Sequence, residues 1–318
     1  MTDKSTKKNR ILNLVKVAVS AVGLAVVLLT QDLGEVAELL RAMDWRPFLA
    51  ALLLFLSGSL VRSYRWGVLV RALGVRVGWW RLVGLFFVGS FFSLFLPTGV
   101  GGDAVKMYEL SRDDGQTAAA ISSVLVDRFL GLFALFAMAL LALAFSPHLG
   151  NSQVRILIAV MFVGTLIGAA LLLQRTWIEA WGRRLGLDRL LSRFKILREL
   201  YNSIHLYGTA ALLRASAASV VWNLILIVGY YLLGLAVGIE LSLGYYFVLV
   251  PIISVLLLVP SVGGLGVREG ATVFLFKQMG TPESQALALA LAYDVTMLIS
   301  GLIGATIYII QGMRGARR

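Results

Sequence analysis

A Pro- and Gly-rich pattern interrupts the apolar stretches of this chain at two places. The first copy reads Leu96-Pro97-Thr98-Gly99-Val100-Gly101-Gly102-Asp103, and the second reads Val259-Pro260-Ser261-Val262-Gly263-Gly264-Leu265-Gly266. Each ends a short apolar run and opens into a segment with a base and an acid: Lys106 and Glu109 in the first, Arg268 and Glu269 in the second. Each then meets a glycine (Gly115, Gly280) and a long apolar segment with an acid inside it (Asp127, Asp294). Broken backbone and charge are costly in hydrocarbon unless they line a cavity or lie within protein. Their recurrence in the same order points to an internal repeat of the transporter kind.

The apolar surroundings extend over the whole chain, which is 59% hydrophobic and 14% charged. That composition predicts an all-α polytopic membrane protein. The lack of Cys excludes disulfides, thiolate catalysis and sulfur-ligated metals. Both histidines, His148 and His205, fall in predicted loops, and no metal or other cofactor is expected. A net charge of +12 would suggest nucleic acid in a soluble protein. Here the positive residues fall between apolar segments, as in cytoplasmic loops, so nucleic acid is not an expected partner. Lys4, Lys7, Lys8 and Arg10 precede an apolar run that is too long for a signal peptide and has no small-residue cleavage site; it reads as the first membrane helix.

Six segments are long enough to span a core of ~30 Å: 11–30, 47–70, 118–145, 154–174, 214–238 and 285–312. Two shorter runs, 82–96 and 245–259, stop at the Pro-Gly pattern. If these crossed fully and their return arms did not, the loop 175–213 would lie outside, although it carries Arg175, Arg183, Arg184, Arg189, Arg193, Lys195 and Arg198. The positive-inside rule opposes that arrangement. If each run instead turns back as a re-entrant hairpin, every basic loop and both termini fall on the cytoplasmic side. The acidic loop with Asp32, Glu35, Glu38 and Asp44 then falls outside. Residues 11–145 and 154–312 become two inverted-topology repeats of a single membrane domain, 1–318. The expected location is the cell's cytoplasmic membrane. Amphipathic helices are expected in the basic loop 175–213, lying on anionic inner-leaflet lipids or docking a partner.

The hairpin turns (Pro97, Gly99, Gly101, Gly102; Pro260, Gly263, Gly264, Gly266) leave backbone N–H groups and a positive helix end at membrane depth. A cation beside such an end needs an anion. Lys106 and Arg268 are either neutralised internally by Asp103, Glu109, Glu269, Asp127 and Asp294, or converge on a phosphate or carboxylate of a substrate. Asp127, next to Arg128, and Asp294 fall ~14–15 Å into their spans, near the midplane. The expected pairs are Asp127 with Lys106 and Asp294 with Arg268. Arg62 and Arg65 share a helix face and either snorkel or form an entrance for an anionic headgroup. Asp103 is a candidate cap of its helix. Gly164/Gly168 and Gly234/Gly238 read as packing contacts. Trp79, Trp80, Trp177 and Trp181 read as interfacial anchors.

The stretch Phe95 to Asp103, with Val126-Asp127-Arg128-Phe129 and Gly263-Gly264-Leu265-Gly266-Val267-Arg268-Glu269-Gly270, resembles the flippase-like membrane domain of lysylphosphatidylglycerol synthases. The likeness covers nearly the whole chain. It implies an α-helical fold with re-entrant hairpins and a polar lipid as substrate. In the synthases this domain precedes a soluble aminoacyl-transferring domain. No such domain follows here before Arg318, so synthase activity is not expected.

Three functions remain open. The first is a flippase moving an anionic or phosphate-bearing lipid through a charged path between the hairpins. Arg62, Arg65, Asp103, Lys106, Glu109, Asp127, Arg128, Arg268, Glu269 and Asp294 are its candidate substrate-binding residues. The second is a small-solute or ion-coupled secondary transporter on the same scaffold. The third is an intramembrane enzyme; with no Asp-rich metal motif and no intramembrane His, an enzyme is not expected. Gly99–Gly102 lacks the P-loop Lys-Ser/Thr, so any drive would come from a gradient. The reading allows for a homo-oligomer and for a separate lipid-modifying enzyme as partners.

Overall fold

The computed structural model describes residues 33–96, 101–114, 117–146, 149, 152–173, 202–203, 206–259 and 261–315. The expected first span 11–30, most of the loop 175–213, and Pro97, Gly99 and Pro260 lie outside the described residues. Among those described, the structure is helical: α1 (Leu33–Arg41), α2 (Trp45–Ala72), α3 (Trp79–Phe95), α4 (Gly101–Asp114), α5 (Thr117–Phe145), α6 (Ser152–Leu173), α7 (Thr209–Ala236), α8 (Leu243–Leu256), α9 (Val267–Lys277) and α10 (Glu283–Gly315). Four of them, α2, α5, α7 and α10, are long and apolar enough to cross a membrane. Leu53, Leu141, Ile156, Ile167, Leu302 and Ile309 are exposed on these helices and α6, as lipid-facing side chains would be. The two Pro-Gly patterns each separate a pair of shorter helices, α3/α4 and α8/α9.

Contacts divide the chain into two compact units: Met1–Ser57, Phe87–Ala104 and Ile225–Arg318 in one, Gly58–Phe86 and Val105–Leu224 in the other. In the first, α1 packs on α10, with Val36 buried and Ser284 Oγ donating to Glu35 Oε1 at 3.0 Å. Asp44 starts α2 by accepting the Arg46 N–H at 2.9 Å on its side chain, while its own N–H donates to Ala236 O at the end of α7.

Glycine sets the closest approaches in this unit. A Cβ on Gly102 would lie 2.2 Å from Gly89 O, and its N–H donates to Ser93 Oγ, so α4 begins against α3. On α10, a Cβ on Gly304 would lie 1.9 Å from Phe87 O and one on Gly301 2.3 Å from Leu94 Cδ1. Small residues let two helices meet backbone to backbone where lipid supplies no hydrophobic drive. The turn between α8 and α9 is left-handed at Gly263, Gly264 and Gly266, with φ of 61°, 86° and 77°. A Cβ on Gly263 would meet Leu94 O at 3.1 Å. The turn between α8 and α9 therefore abuts the end of α3.

The other unit is built on a core of Trp66, Val70, Leu82, Leu85, Leu110, Ala120 and Val124. α5 packs on α6 through the stacked rings of Phe133 and Phe162, 5.4 Å apart.

The expected glycine pairs hold only in part. Gly168 lies under the Phe129 ring and Gly234 against Tyr246, but nothing lies within 4 Å of a Cβ on Gly164. Gly238 instead ends α7 at φ 82°, where the Ile239 N–H returns to Gly234 O at 2.8 Å.

Gly304→Ala is expected to lower stability by about 1–3 kcal/mol, because the methyl collides with fixed backbone. Gly164→Ala is expected to be neutral or to gain up to about 1 kcal/mol from lower backbone entropy. Thermal unfolding of the two variants in one detergent checks the contrast.

Candidate functional site

Among the described residues each unit holds one buried guanidinium. Arg65, on α2, is 3% exposed, so it does not snorkel. It grips Asp127 of α5 with both arms: Nε donates to Oδ1 at 2.5 Å and Nη2 to Oδ2 at 2.7 Å. Nη1 donates to Ser219 Oγ of α7 at 3.1 Å, and that hydroxyl donates onward to Ala215 O. Gly131, one turn beyond Asp127, leaves the space: a Cβ there would lie 3.0 Å from Arg65 Nη1. Asn223 Nδ2 donates to Gly131 O at 2.9 Å and braces the same junction.

Asp127 therefore does not pair with Lys106 as expected. A planar guanidinium matches both carboxylate oxygens, whereas an ammonium is a point charge. Lys106, 5% exposed, sits over the Trp66 and Phe86 rings, its Nζ 5.4 and 5.1 Å from their centroids. Arg62 faces the same Phe86 ring at 4.6 Å and Trp222 at 4.7 Å. Aromatic faces hold a cation in place without cancelling its charge. Trp66 is itself fixed by its Nε1–H donating to Ser123 Oγ at 3.0 Å. Glu109 lies 3.6 Å from Arg81 rather than in this group, and Arg128 is half-buried.

In the first unit, Arg268 of α9 pairs through Nη1 with Asp294 of α10, as expected. Its Nη2 donates to Gly263 O at 3.1 Å, and Gly264 makes room, since a Cβ there would lie 2.7 Å from Nη2. The Arg268 Cζ lies 5.1 Å from the Tyr293 ring centroid, and Tyr293 stacks on Tyr230 at 4.5 Å. Glu269 is fully buried and reaches back to accept the Gly266 N–H on Oε2 at 2.6 Å. Asp103 is buried and falls inside the first turn of α4 rather than before it, so it is not the cap residue. A carboxylate there complements the helix end by charge. No group of His, Asp and Glu able to hold a metal occurs among the described residues.

Residues 13–304 match the family described as the lysylphosphatidylglycerol synthase TM region. The chain belongs to this family. It matches no curated protein sequence. The family is linked to lipid handling, and in this member of it the matched region contains both buried ion pairs and both Pro-Gly turns.

Sequence reasoning missed Ser219, Asn223, Trp66, Phe86, Trp222, Tyr230 and Tyr293. One signal was present: the spacing Asp127 to Gly131 puts an acid and an empty position on one helix face, which is room for a large partner.

Asp127→Ala is expected to destabilise by about 3–5 kcal/mol, since Arg65 cannot shed its charge. Arg65→Met combined with Asp127→Leu is expected to recover most of that. Unfolding in detergent measures both, and a single variant as stable as wild type would contradict the pairing.

Proposed function

We propose that this family member is a lipid flippase, moving a polar, phosphate-bearing lipid between leaflets. The observation that carries the reading is the glycine turn before α9 lying against the end of α3, Gly263 against Leu94, beside a buried Arg268–Asp294 pair. The arms support re-entry from opposite faces. With 17, 14, 14 and 11 residues, they reach roughly 26 Å at most, short of a ~30 Å core. Two half-depth hairpins would give a polar headgroup a broken, solvated passage while acyl chains stay in lipid.

Lys106 and Arg62 are the phosphate-binding residues in this reading. Both sit against the Phe86 ring, and Arg65 ties α2 to α5 as a scaffold. The scheme places both termini and the basic loops on the cytoplasmic side of the cell membrane, makes 11–145 and 154–312 inverted repeats, and involves no covalent change to the lipid. Anionic inner-leaflet lipids would meet the basic loop 175–213, and a separate enzyme would supply a modified lipid. Relative rocking of the repeats would alternate access.

Because the chain has no cysteine, single cysteines report orientation without background. Glu38→Cys and Gln278→Cys are expected to react with an impermeant maleimide from outside, and Arg76→Cys only after lysis. A Gln278→Cys that reacts only after lysis would mean the second hairpin crosses instead of returning.

Proteoliposomes carrying headgroup-labelled phosphatidylglycerol test the function. Wild type is expected to expose inner-leaflet label, and Lys106→Gln and Arg268→Gln to lose at least tenfold in rate while remaining folded. A folded wild type that moves neither this lipid nor a polyprenyl-phosphate glycolipid would favour a small-solute carrier.

A further inference from the structure

Charge and hydrogen-bonding capacity do not close around Arg268 as they do around Arg65. One guanidinium faces two carboxyls. Each carboxyl has one oxygen engaged: Glu269 Oε2 by the Gly266 N–H and Asp294 Oδ1 by Arg268. The remaining oxygens, Glu269 Oε1 and Asp294 Oδ2, are buried and have no donor. The two carboxyls also interact directly, side chain to side chain. Two carboxylates are acceptors only and cannot bond to each other, whereas a protonated carboxyl donates. One proton between them would satisfy both bare oxygens and cancel the second negative charge, and adjacent like charges disfavour double ionisation.

The other groups facing the pair do not supply that proton's charge. They are Arg268 on α9, already bound to Asp294 and Gly263 O, and the hydroxyls of Tyr230 on α7 and Tyr293 on α10. In the other unit both oxygens of Asp127 are taken by Arg65, and no proton is called for.

We infer that the Glu269–Asp294 carboxyl pair is a proton-binding site, holding one exchangeable proton beside Arg268. Resting on the flippase reading, we further infer that its loading couples lipid movement to a proton gradient. The linkage is mechanical as well as electrostatic. Loss of the proton leaves two carboxylates competing for Arg268, and Arg268 also holds Gly263 O, in the turn that abuts Leu94. A change in protonation therefore bears on the contact between this turn and the end of α3.

Infrared spectroscopy of the full chain in vesicles tests the proton itself. Wild type is expected to show a protonated-carboxyl C=O band that shifts in heavy water and titrates as one proton per chain. Glu269→Gln and Asp294→Asn should each abolish it. The absence of any band removed by both substitutions, at every pH where the protein stays folded, would overturn the site. Coupling is read separately, from wild-type vesicles with headgroup-labelled phosphatidylglycerol under imposed pH gradients. The rate is expected to rise for one gradient direction and fall for the other. Lipid movement indifferent to the gradient would overturn the coupling alone. No movement at all, with the band present, would overturn the flippase reading and leave the proton site standing.

Discussion

A guanidinium cannot give up its charge, and two of them, Arg65 and Arg268, are buried among helices whose outer faces are apolar. Everything near them answers to that. Each requires a carboxylate from another helix, so α2 is fastened to α5 and α9 to α10 at fixed heights. Each requires room, and a glycine supplies it in both cases: Gly131 beside Arg65 and Gly264 beside Arg268. Each also engages a further oxygen, Ser219 Oγ or Gly263 O, because a guanidinium has more N–H groups than one carboxylate can take up. Replacing such pairs by apolar groups of similar size is often neutral or stabilising. Their presence therefore calls for a reason beyond stability, and in the flippase reading that reason is a charged path for the headgroup.

The two pairs divide the work differently. Around Arg65 the charges balance and the oxygens of Asp127 are all bonded, which makes a rigid joint. Two further cations of the unit, Lys106 and Arg62, rest against the faces of Trp66, Phe86 and Trp222. Around Arg268 the carboxyls outnumber the cation, and two oxygens are left without donors. A closed network rigidifies; an open one changes state when a proton or an anion arrives. In the flippase reading, the first unit would carry the switch and the other the grip.

How much of this could be read in the sequence follows from which contacts are local. The short helices α3, α4, α8 and α9 and the breaks between them were legible because Pro, Gly and run length act within a few residues. The Arg268–Asp294 pair was legible because α9 and α10 follow each other closely in the chain, leaving few alternative partners. Asp127 was assigned to Lys106 by the same reasoning and met Arg65 instead, an arginine 62 positions away on α2. Sequence distance does not rank partners between helices, and only bidentate geometry separates arginine from lysine there. The aromatic seats of Lys106 and Arg62 were invisible for the same cause. Trp66, Phe86 and Trp222 lie on three different helices, and as single residues they read as core.

The sequence reading left two roles open for the hairpin cation: internal neutralisation or substrate binding. At Arg268 the geometry makes these roles interdependent. The side chains that neutralise one another also mend the backbone where the helix is broken. Arg268 serves Gly263 O, and Glu269 serves the Gly266 N–H, two polar groups that the left-handed glycine turn exposes. Leaving such groups bare in an apolar setting costs about 1–3 kcal/mol each. An anion that drew Arg268 from Asp294 would also draw it from the turn, and the turn abuts the end of α3. In the flippase reading, binding at this cation and displacement of the turn are coupled, because one guanidinium holds Asp294 through Nη1 and Gly263 O through Nη2.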